Sequence, residues 1–153
     1  MKSVLLYGYY GHGNFGDDLI LETLAGNLAQ RYRVAAMVFS ERHSRKTRQL
    51  VEREKLKLVP VKVIQNRILS KFNAVYQTIQ VIREGRRHDA LVFGGGTQLF
   101  ETAKNGVVPL LTRAVFTTVL RWIFGKTIGH LFVGINTPKT RSGAYLVRRI
   151  LAC

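Results

Sequence analysis

The order of apolar runs, glycine turns and helical stretches predicts an α/β fold: a doubly wound, mostly parallel Rossmann-like sheet with helices on both faces. The runs SVLLYG (3–8), RVAAMVFS (33–40), DALVFGGG (89–96) and HLFVGIN (130–136) are short and almost continuously apolar, as strands covered on both faces are. Helical stretches separate them, so the strands lie parallel. Three polar, glycine-bearing loops, GYYGHGNFGDD, GGGTQLFE and GINTPKTR, follow strand ends, where open α/β sheets gather their ligands.

Taken in order, 3–8 forms the first strand and DDLILETLAGNLAQRY (17–32) the first helix, with Leu19, Ile20, Leu24 and Leu28 near helical spacing. Residues 33–40 form the second strand, and Ser40 is placed to cap a charged helix over roughly 41–54. KLVPVKVI (57–64) suits an edge strand, because Pro60 removes a ladder donor. From Gln65 to Arg86, Ile68, Leu69, Phe72, Val75, Tyr76, Ile79 and Ile82 form a stripe expected to face the core. A strand at 89–96, a helix at 108–124, a strand at 130–136 and the start of a helix in SGAYLVRRILAC complete the order.

The 153 residues, 46% of them hydrophobic, suit one domain with a real core. A single cysteine, Cys153, forms no internal disulfide, and the histidines stand at no metal-ligand spacing, so neither a metal nor another cofactor is assigned. The segment 107–125 is the one candidate membrane span. Arg113, Arg121 and Pro109 interrupt it, and it is expected to be a buried helix whose arginines reach an edge, with an interfacial membrane helix as the alternative. A cytoplasmic protein is expected, with the inner face of the membrane as an alternative place of work.

The formal charge of +15, from 24 Lys and Arg against nine Asp and Glu, favours anionic partners. The basic clusters ERHSRKTR, REGRRH and LVRRI do not alternate with aromatics, which argues against nucleic acid and leaves an anionic ligand or an anionic membrane surface.

Gly11, Gly13 and Gly16 have the G-x-G-x-x-G spacing of a dinucleotide turn, but Gly8 already occupies the strand end. Asp17 and Asp18 follow at the helix start and would repel pyrophosphate. Asp17 fits an N-cap. It also fits, with Asn14 and the bare backbone of Gly11 and Gly16, a site for sugar hydroxyls, and His12 is a surface loop residue, a donor or an acid. Gly94, Gly95, Gly96 and Thr97 form either a tight turn or an anion-binding nest, the latter favoured by a helix beginning near Thr97. The third loop offers Asn136 and Arg141, either for phosphate or carboxylate or simply as a solvated loop.

Together these segments resemble the polysaccharide pyruvyl transferase family: the turn GYYGHGNFGDD has the family's opening pattern, GGGTQLF is similar to its glycine triplet, and FVGINTP with LVRRIL is similar to its next strand and helix. The resemblance implies one Rossmann-like half, residues 1–153, of a two-domain enzyme similar in fold to GT-B glycosyltransferases, with the C-terminal half absent. It implies transfer of a pyruvyl group from phosphoenolpyruvate to two hydroxyls of a sugar or lipid-linked saccharide during cell-surface polysaccharide synthesis. Asp17 is the matched catalytic carboxylate, implied to position or deprotonate an acceptor hydroxyl, and the isolated half is expected to be inactive. A GT-B-type glycosyltransferase half and a non-catalytic module binding anions or nucleic acid are the alternatives.

Overall fold

The computed structural model describes residues 1–11, 14–39, 52, 56–66, 72–95, 97–99, 108–125, 127–131, 134–135 and 140–151. Five strands form one parallel sheet: β1 (Ser3–Tyr7), β2 (Arg33–Val38), β3 (Lys57–Pro60), β4 (Ala90–Gly94) and β6 (Thr127–Leu131), in the order β3-β2-β1-β4-β6. The chain builds outward from β1 to β3, then returns to add β4 on the other side of β1. The strand order therefore reverses between β1 and β4, and a doubly wound sheet opens a crevice there. Two further short strands, β5 (Thr97–Leu99) and β7 (Gly134–Ile135), pair parallel in a separate two-stranded sheet.

Alternation along β1 sorts the core into two layers. Val4 and Leu6 face α1 (Phe15–Ala29) and meet Leu21, Leu24 and Ala25. Leu5 faces the opposite way, into a layer with Val81 of α2 (Asn73–Gly85) and Leu120 of α3 (Val108–Phe124). Helices thus cover both faces, as the sequence predicts. A last helix, α4 (Arg141–Leu151), packs on α3 through Val147 and Ile150 against Leu110.

Several sequence expectations shift. Asn14, and not Asp17, caps α1: its Oδ1 accepts the Gly16 amide at 3.1 Å, which leaves Asp17 in the first turn. Leu19, expected on the inner face, is exposed, and Leu21 is buried in its place. β3 lies at the sheet edge as Pro60 requires.

Of the helix expected from Gln65, residues 67–71, with Ile68 and Leu69 of its stripe, lie outside the described residues; α2 runs from Asn73, whose side chain bonds both the amide (2.7 Å) and the carbonyl (3.1 Å) of Ile64. That pair of bonds ties the extended segment after β3 to the helix start. The stripe Phe72, Val75 and Ile79, expected in the core, is exposed; Val81 and the half-buried Ile82 point inward. The last main strand starts at Thr127 and not His130, because Ile128 supplies the buried contact and β4 pairs from Ala90↔Thr127 onward. Thr97 opens strand β5, so no helix N-terminus stands behind the glycine triplet. Arg141 is the first residue of α4 rather than a loop residue; Thr140 Oγ1 accepts the Gly143 amide at 2.9 Å and starts the helix just before it. The helix expected over 41–54 lies, apart from Glu52, outside the described residues. Among the described residues no helix is long and apolar enough to cross a membrane.

Candidate functional site

The crevice at the carboxyl ends of β1 and β4 is built from backbone. A Cβ on Gly8 would overlap the carbonyl oxygen of Gly94 and stand 2.7 Å from the Tyr10 ring, so only glycine lets the two strand ends approach this closely. Gly11 and Gly95 turn the chain with φ of 80° and 83°, which L side chains rarely adopt. The Phe39 amide donates to the Tyr10 carbonyl (2.9 Å) and Tyr9 stacks on Phe39, which ties the loop to the end of β2.

Asp17 reaches into this crevice from the first turn of α1 and is only 3% exposed. Asn14 Nδ2 donates to its Oδ2 at 2.8 Å, while its Oδ1 lies 3.3 Å from where a Cβ on Gly95 would stand. Asn14 therefore works twice, capping the helix with its oxygen and holding the acid with its nitrogen. Asp18 accepts the Gly11 amide at 3.2 Å and fixes the turn from the other side.

Tyr10 closes the floor. Its ring is fully buried beneath Gly8 and Gly95, and among the described residues its hydroxyl has no hydrogen-bond partner. Burial, and secondarily the negative charge of Asp17, pushes the phenol well above its ordinary value, so the hydroxyl stays protonated. A buried hydroxyl beside a buried carboxylate was not singled out from the sequence, although the paired tyrosines of GYYG were the signal for it.

Among the candidates drawn from the sequence, Gly11, Asn14, Gly16, Asp17, Gly94 and Gly95 belong to the two turns that meet at this rim. Thr97 lies just beyond, in β5. His12, Gly96 and Asn136 fall outside the described residues. Arg141 sits on α4, which packs chiefly on α3.

Chemically, the rim suits neutral, hydroxyl-bearing groups. The amides of Gly11 and Gly16, which a pyrophosphate would need, already donate to Asp18 and Asn14. Its described residues, 8–11, 14–18 and 94–95, include two carboxylates and no cation. A cavity of about 510 Å³, lined by Ser3, Tyr32, Arg33, Lys57, Arg87 and His88, opens at the other pole. It stands at the amino ends of the strands, away from where such sheets hold their substrates.

No family model matches the chain, and no curated protein matches it. Among solved structures, Gre2 from Candida albicans is similar at a TM-score of 0.48 and 11% identity, over 98% of this chain and 50% of that one. The chain thus spans half the length of that protein, and a likeness so distant carries no chemistry.

Proposed function

We propose that this chain is the acceptor-side half of a transferase that moves a pyruvyl group from phosphoenolpyruvate onto two hydroxyls of a sugar, as a cyclic ketal. The observation that carries the proposal is the buried carboxylate of Asp17 among the glycine turns of β1 and β4, in the sequence context GYYGHGNFGDD and GGGTQLF that resembles pyruvyl transferases. Ketal formation needs an acid to protonate the enol methylene, attack by a hydroxyl on the cationic carbon, loss of phosphate and closure by the second hydroxyl. In this reading Asp17 accepts a hydrogen bond from the attacking hydroxyl and takes its proton. Asn14 fixes the carboxylate's direction. The acidic rim repels the anionic donor, so cations for its phosphate and carboxylate come from outside these turns, in the reading's second half.

The test is phosphate release from phosphoenolpyruvate with sugar acceptors, using the chain joined to a matching C-terminal half. The expected result is acceptor-dependent release that falls about 10²-fold or more in Asp17→Asn, with the fold retained because asparagine still offers Asn14 an oxygen. Turnover of sugar nucleotides without phosphate release would move the assignment to a glycosyltransferase half. The +15 charge favours a second reading, a non-catalytic anion-binding module, and tight nucleic-acid binding with a steep salt slope would select it.

A further inference from the structure

The helices covering one face of the sheet carry their apolar residues on both sides. α3 buries Thr117 and Leu120 inward, while Leu111, Val115, Val119 and Trp122 stand exposed, Trp122 at 86%. Those positions recur at helical spacing and draw one stripe ~16 Å long at 1.5 Å per residue. The neighbouring helix repeats the pattern: α2 turns Val81 to the core and leaves Val75 and Ile79 exposed, at 59% and 55%. Both helices press their inner sides on the same sheet face, so their outer sides look the same way.

Two exposed apolar stripes turned the same way mark a docking face, and charge selects its occupant. The α2 stripe runs on into Arg83 and Arg86, both exposed, and the exposed Arg121 precedes Trp122 on α3. A second copy would bring another +15 against this one and be repelled. An anionic bilayer is attracted by the same charge and admits the valines, leucine and indole to the depth of its headgroups.

We propose that the outer faces of α2 and α3 form a membrane-docking surface that rests on bilayers rich in anionic lipid, with Trp122 at the interface. The helices lie on the bilayer and do not span it. The proposal stands independently of the pyruvyl-transfer reading.

Trp122 is the chain's single tryptophan, so its fluorescence reports this face alone. The experiment titrates the full chain with vesicles of phosphatidylcholine, with and without phosphatidylglycerol. The expected result is a blue shift with the anionic vesicles, weakened by salt, and quenching by brominated acyl chains. In Val115→Gln/Val119→Gln, with its circular dichroism unchanged, partition falls by roughly tenfold or more as aliphatic groups are lost from the interface. No shift with anionic vesicles, equal partition into neutral ones, or undiminished binding by the double variant overturns the proposal. So does a concentration-dependent shift without lipid, which would show a second copy covering the face.

Discussion

Tyr10 and Asp17 are buried together, and their neighbourhood sets a pH dependence. The folded phenol holds its proton more tightly than an unfolded tyrosine with its ordinary value of 10.0. The resulting stability is fully present below pH 10 and is lost as the pH rises above it, because the unfolded chain ionises first. Urea midpoints measured on both sides of pH 10 are expected to fall more steeply for the wild type than for Tyr10→Phe. At neutral pH the variant should be as stable or slightly more so, since it removes a buried hydroxyl that lacks a described partner. The rim was partly legible in the sequence. Glycines at strand ends and acids at a helix start announce a ligand site, but the Asn14 cap and the Tyr10 floor follow from how the turn closes. Asn14 and Asp17 are both good caps by composition; only three-dimensional closure assigns the cap to one and the crevice to the other.

At the level of elements, the succession of strands along the chain and the placing of helices between them are legible from apolar runs alone; the order of the strands within the sheet is not. Which helix face turns inward is not legible either. Ile79 and Val81 are both apolar and β-branched, and a one-dimensional pattern gives no vector to the sheet, so the more continuous stripe reads as core. The structure assigns the opposite energetics. Val81→Ala should destabilise by about 2 kcal/mol through lost burial and the cavity left behind, whereas Ile79→Ala should stay within about 0.5 kcal/mol. Equilibrium unfolding of the two variants separates these outcomes. The short strand β5, and the pairing with it of Gly134–Ile135 from the run expected to be one strand at 130–136, escape the local pattern for a related reason: the partner lies some 37 residues away, as Thr97↔Gly134 shows.

For the molecule as a whole, the excess of like charge works against compactness. Acids are too few to neutralise it, and among the described residues the Arg87–Glu84 contact at 2.9 Å joins residues three apart at the end of α2, with Arg87 at the surface. Added sodium chloride shortens the range of the repulsion, so the thermal midpoint is expected to rise between low and physiological ionic strength. A flat or falling midpoint in calorimetry would mean that local pairs outweigh the net field. The same charge was visible from composition, but its relation to an apolar outer face was not, since that depends on which helical sides the sheet leaves uncovered.

The abutment of Gly8 on the Gly94 carbonyl also limits how this rim can vary. Every other amino acid at position 8 would have to displace main chain, whereas an alanine at Gly16 meets nothing closer than the Asn14 oxygen at 3.6 Å. A saturation library selected for folding should return glycine alone at position 8 and tolerate small residues at 16. Selectivity in proteins sharing this junction must then diverge through the flanking loops, with the seam between the two central strands held invariant.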